Sequence, residues 1–146
     1  MVFVSACLWG ENCKYSGGNN LRENLKENLK NEEVVLICPE CDGGLPTPRA
    51  ASEINGENGG ESVLNGEGKV INCEGTDVTC EFVKGAKHAL ELAFKLKPEK
   101  IYLKQGSPSC GCGRIYDGTF TGKCVSGNGV TATILINNGF KVVPVE

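Results

Sequence analysis

Four short aliphatic runs, spaced by segments with helical periodicity, set the frame of this chain. They are Val2 to Ala6, Val34 to Ile37, Ile101 to Leu103 and Phe140 to Val143. Each is apolar on both sides, the pattern of a strand buried on both faces of its sheet. Between the first two, Leu21, Leu25 and Leu29 recur every fourth residue, which predicts an amphipathic helix over Leu21 to Lys30. A longer helix is expected from about Asp77 to Lys97, with Thr76 or Asp77 as cap, Phe82, Ala86, Leu90 and Ala93 on one face, and Pro98 as the stop. A third is expected over Val130 to Asn138, with Gly139 at its end. Crossovers of this length join parallel strands, so the expected fold is α/β: three layers, a mostly parallel sheet of about four strands, and helices on its faces.

Two stretches lie outside that frame. Residues 43 to 60 are rich in Gly, Pro, Asn and Glu and read as loop, while Ser62 to Leu64 and Val70-Ile71 flank Asn65-Gly66 and read as a small hairpin excursion. The glycine-rich stretch up to Gly129 is expected to be loop or irregular hairpin. With 146 residues, one domain spanning 1–146 is expected. The N-terminal apolar run is too short for a signal peptide and lacks a basic start, and no run approaches a membrane span. A cytoplasmic protein with no membrane partner is therefore expected. The net charge of −3 argues against an extended nucleic-acid footprint.

The chain has 9 cysteines, an odd number, which does not suit a disulfide scaffold and in a reducing compartment points to metal binding or chemistry. Cys7, Cys38 and Cys110 each follow a predicted strand within a few residues. In an open parallel sheet, ligands bind beyond the carboxyl ends of the strands, so three strands would deliver one thiol apiece to one edge. Cys13 is left open, since its loop could fold it back towards Cys7, and Cys41, Cys73, Cys80, Cys112 and Cys124 are read as bystanders, Cys80 packed within its helix. The lone His88 sits on the long helix and is not expected to ligate. Three thiolates leave a coordination position open, as Lewis-acid catalysis requires. Soft donors favour an iron–sulfur cluster or zinc over magnesium or calcium, and residue types alone do not separate the two.

Other chemistry adjoins these thiols. Glu40 follows Cys38-Pro39 and would enter the same pocket, placed for acid or base work near neutral pH. Ser107 and Ser109 flank Pro108 ahead of Cys110, where a hydroxyl can hold water or substrate or simply shape a turn. Lys104, ending the third strand, would either neutralise charge at the site or reach outward. Arg49 would grip a substrate oxyanion or form a salt bridge. No phosphate-loop pattern is present.

Several ordered blocks resemble a known family. Val4-Ser5-Ala6-Cys7-Leu8-Trp9-Gly10 with Cys13 and Tyr15-Ser16-Gly17 form the first. Cys38-Pro39-Glu40 with Gly44-Leu45-Pro46-Thr47-Pro48-Arg49 form the second, and Ser107-Pro108-Ser109-Cys110-Gly111 with Ile115 to Phe120 the third. Together they resemble the thiouracil desulfidase family over nearly the whole chain. The resemblance implies a [4Fe–4S] cluster held by Cys7, Cys38 and Cys110, with one iron left without a protein ligand and with Glu40 and Ser107 assisting. It implies hydrolytic, non-redox removal of sulfur from a thiolated pyrimidine, with release of hydrogen sulfide. A small thiolated base or nucleoside is the expected substrate, with tRNA less favoured on the acidic balance. Cys41 and Cys112, beside the motif cysteines, stand where a closing fourth ligand would come from. The alternative is a non-catalytic protein: a structural zinc domain, or a carrier of cluster or sulfide.

Overall fold

The computed structural model describes residues 1–146. Its centre is a four-stranded parallel sheet in the order β2-β1-β5-β8. These strands are β1 (Val2–Ser5), β2 (Val34–Ile37), β5 (Lys100–Lys104) and β8 (Val142–Val145). Val2 pairs with Val34 on one side and Lys100 on the other, and Ile101 pairs with Val142. The two-residue period of β1 divides the core. Phe3 packs with Ile37, Ala93, Ile101 and Leu135 on one face, while Val2 and Val4 pack with Leu8 and Leu29 on the other. The first face is covered by α4 (Thr79–Leu96) and α5 (Val130–Asn137), the second by α1 (Glu23–Asn28) and a 3-10 turn over Ala6–Trp9. The expected α/β layering is observed, and removing a large buried side chain such as Phe3 from such a core costs about 3–5 kcal/mol.

Several local expectations are corrected. The segment Ser62 to Leu64 is not a strand but the end of α3 (Gly59–Leu64), and Asn65-Gly66 stops that helix, Gly66 taking φ 89°. Helix is required here because α3 lies directly on α5. A Cβ at Gly60 would come within 2.5 Å of the Gly129 carbonyl oxygen, so the glycines set the approach. The true partner of β4 (Lys69–Asn72) is β3 (Ser52–Asn55), antiparallel and inside the stretch read as loop. The glycine-rich segment forms a regular antiparallel hairpin, β6 (Cys112–Tyr116) with β7 (Cys124–Asn128). At the last strand, Phe140 completes the stop of α5, its N–H donating to the Leu135 carbonyl at 3.1 Å, and pairing begins only at Val142. Asp77 caps α4 from just outside, accepting from the Thr79 N–H at 2.9 Å. Cys80 is exposed rather than packed.

One contact places a functional segment. Immediately after Cys38 the chain makes a single helical turn, α2 (Pro39–Asp42), with proline at its first position. This turn lies against α4 through reciprocal glycines. A Cβ on Gly85 would fall 1.9 Å from the Pro39 carbonyl oxygen, and one on Gly43 1.9 Å from that of Glu81.

Candidate active site

At the carboxyl edge of the sheet lies a cavity of about 480 Å³. Cys7, Cys38 and Cys110 all line it, as the strand-end argument requires, and each is delivered by a different segment. Cys7 sits in the 3-10 turn after β1. Asn20 grips it twice, its backbone N–H donating to the Cys7 carbonyl at 2.9 Å and its Nδ2 to Sγ at 3.5 Å. Cys38 is the residue from which α2 starts. Cys110 closes the turn after β5 and is buried.

Local bonding makes the third turn rigid. Ser107 Oγ accepts the N–H groups of Ser109 and Cys110, each at 3.0 Å. Gln105 clamps both sides of Cys112, Nε2 donating to its carbonyl at 2.7 Å and Oε1 accepting its N–H at 2.9 Å. The first amides of α5 are used here too: Val130 N–H donates to the Pro108 carbonyl at 2.8 Å and Thr131 N–H to that of Ser109 at 2.9 Å.

The three thiols resist ionisation in this setting. Burial pushes Cys110 up, with Glu40, Cys7 and Cys38 adding repulsion against a hydrogen bond from Ser5. Burial also raises Cys7, partly offset by the Asn20 bond and by Lys104. For Cys38 the largest cause is a hydrogen bond with the Cys13 side chain, followed by burial. All three line one cavity, and such a site accepts anionic thiolates only with a cationic partner among them. No three of the cysteine, histidine or carboxyl side chains stand close enough to share one metal ion. Soft donors dispersed around a cavity fit a polynuclear iron–sulfur group, which spans the gap with its own body.

Glu40 and Ser107 meet at the same pocket. Ser107 Oγ donates to Glu40 Oε2 at 3.4 Å, and Glu40 Oε1 receives Arg49 Nε at 3.1 Å. Arg49 is thus a buried anchor rather than a free grip for an oxyanion: its side chain is 6% exposed. Its other nitrogens hold the Cys13 carbonyl at 2.9 Å and Thr47 Oγ1 at 3.0 Å. Burial pulls the guanidinium down, but the Glu40 charge and hydrogen bond outweigh it and leave its pKa raised.

Lys104 lines the cavity and turns inward, Nζ donating to the Gln105 carbonyl at 3.0 Å; burial lowers its pKa against the pull of Cys7. Cys13 also lines the cavity, beside Cys38 rather than folded back onto Cys7. Ser109 stands behind the cavity wall, its Oγ 4.0 Å from Cys110 Sγ. It is buried and shares a hydrogen bond with Thr131 Oγ1 at 2.9 Å. Cys41 and Cys112 do not line the cavity either; Cys41 Sγ lies 3.4 Å from Thr47 Oγ1. His88 is exposed and 3.6 Å from Asp42, as a surface residue would be. Sequence reasoning missed Asn20, Gln105 and Glu53, and none of them carried a signal: β3, which bears Glu53, reads Ser-Glu-Ile-Asn with no alternation to mark it.

The site thus defines an α/β protein whose parallel strands bring three thiols, a carboxyl and a hydroxyl around one cavity. This chain belongs to the 2-thiouracil desulfurase family, whose sequence model matches residues 2–146. It is 42% identical over 143 residues to the uncharacterised protein YbbK of Bacillus subtilis (strain 168), covering 98% of this chain and 94% of that protein. Among solved structures it is similar to the [4Fe-4S]-dependent thiouracil desulfidase TudS, with TM-score 0.85 and 39% identity over 98% of this chain and 89% of that one. The sheet and flanking helices match that fold.

Proposed function

We propose that this chain, acting as one unit over residues 1–146, is an iron–sulfur-dependent desulfidase that hydrolytically removes sulfur from a thiolated pyrimidine. The observation that carries the reading is Glu40, held between Ser107 and Arg49 at the wall of a cavity lined by three strand-end thiols. Cys7, Cys38 and Cys110 would hold a [4Fe–4S] group with one iron free of protein ligands, a reading that takes Cys13 at the cavity wall as a neighbour and not a ligand, while Cys41 and Cys112 lie off the cavity. When bound, that group supplies a thiophilic Lewis acid that polarises a thiocarbonyl.

The rest falls to this chain's own side chains. Glu40 takes a proton from the attacking water and returns protons to the departing sulfur, while Arg49 fixes its orientation. Ser107 holds Glu40 Oε2 towards the reacting carbon. The balance is thiocarbonyl plus water giving carbonyl plus hydrogen sulfide, with no net electron transfer. The cavity suits a small thiolated base or nucleoside of the thiouracil or thiouridine type better than tRNA. No helix is long and apolar enough to cross a membrane.

The test is anaerobic. Purified protein should carry about four irons and four sulfides, as the cluster type requires, and should convert 2-thiouracil to uracil with one sulfide per uracil. Protein that holds the cluster but releases no sulfide would overturn the enzymatic reading.

A further inference from the structure

Glu53, in β3, is a nearly buried acid with an unusual pair of partners. It is 8% exposed and lines the cavity. Its Oε1 accepts two backbone N–H groups from the tip of the β6–β7 hairpin, Gly118 at 2.9 Å and Phe120 at 3.2 Å. Both donors have left-handed backbone, φ 93° and 58°, so the tip is bent around this one oxygen. The approach is close: a Cβ on Gly118 would stand 2.7 Å from the Ile54 carbonyl oxygen. On either side of the pinned segment, Tyr116 and Gly122 face the cavity, so the hairpin forms one of its walls. That wall carries no cysteine of the three and is fixed independently of them.

We infer that Glu53 is a positioning residue for substrate: by pinning Gly118 and Phe120 it holds the Tyr116–Gly122 wall at the distance a pyrimidine ring requires. The inference rests on the desulfidase reading for its substrate but not for the pin itself. An acceptor oxygen buried with two N–H groups holds a loop firmly; without it, both amides lose their partner. Glu40, Ser107 and the three thiols all lie outside the hairpin, so loosening it weakens binding and spares the reacting groups.

The experiment compares cluster-loaded wild type with Glu53→Ala, Glu53→Gln and Gly118→Ala, using 2-thiouracil turnover and amide hydrogen exchange over residues 117–123. Glu53→Ala should raise KM on the order of tenfold with kcat within about twofold, and should speed exchange at Gly118 and Phe120. Glu53→Gln, which keeps an acceptor oxygen, should restore both. Gly118→Ala breaks the same contact from the hairpin side, should mimic Glu53→Ala, and decides the matter if Glu53→Ala fails to fold. Unchanged exchange in Glu53→Ala overturns the pin. A wild-type KM overturns its role in binding, and a loss of kcat shared by Glu53→Gln would mean that the carboxyl acts on substrate directly. Wild type that does not turn over 2-thiouracil would fail the desulfidase reading instead, with the exchange comparison still deciding the pin.

Discussion

Ser107 Oγ serves two masters: it donates to Glu40 Oε2 at 3.4 Å while accepting the N–H groups of Ser109 and Cys110. The hydroxyl therefore couples the end of β2 to the end of β5. Ser107→Ala should lose about 1–2 kcal/mol of stability through two unpaired amides, read from thermal unfolding. It should also lower kcat, because Glu40 is then held from the Arg49 side alone. Ser107→Thr should recover most of the stability.

Glu40→Gln keeps size and most contacts but removes the proton carrier. Turnover should fall by about 10²–10⁴, the usual worth of a positioned acid or base, with iron and sulfide content unchanged. Arg49→Lys retains charge but not the fork that binds Glu40, Cys13 and Thr47 at once, and should also lower kcat, with sulfide release from 2-thiouracil as the readout.

Thiol substitutions should separate sharply. Alanine at Cys7, Cys38 or Cys110 should abolish bound iron, whereas Cys41→Ala and Cys112→Ala should retain it, because neither lines the cavity. Iron analysis of the anaerobically purified variants checks this directly.

Gly85→Ala should push α2 away from α4, since the new Cβ would fall 1.9 Å from the Pro39 carbonyl oxygen. Overpacking of this kind costs about 1–3 kcal/mol. Because α2 carries Glu40, the loss of kcat should exceed what partial unfolding accounts for.

Cluster-free protein should show its own pH dependence. Cys7, Cys38 and Cys110 are all raised above the ordinary thiol value of 9.0 in the folded chain. In the unfolded chain they shed protons first, so above about pH 9 the unfolded state is favoured. Stability is full below that pH and falls as pH rises beyond it. Melting of cluster-free protein between pH 7 and 10.5 should show the decline, and cluster-loaded protein, whose thiols are already deprotonated, should lack it.

The edge of the sheet was legible because two signals coincide there: three of the four aliphatic runs end at a polar turn, and each of those turns begins with or soon reaches a cysteine. Glu40 followed for the same reason. Ser109 was not separable from Ser107, because both flank Pro108 in one turn and only tertiary partners distinguish them, Glu40 for Ser107 and Thr131 for Ser109. Asn65-Gly66 stops a helix as well as it turns a hairpin, so the choice depended on the approach of α3 to α5, a contact about 70 residues distant in sequence. Glu53 was hidden by a strand of four residues within a segment whose composition is that of a loop.

The sheet order has a consequence for life in air. Cys7 and Cys38 follow adjacent strands, and β5, which leads to Cys110, adjoins β1 on its other side. Backbone pairing and buried aliphatic side chains, not iron, hold those three ends together. A molecule stripped by oxygen should keep its socket open and its fold intact, ready to be refilled without passing through the unfolded chain.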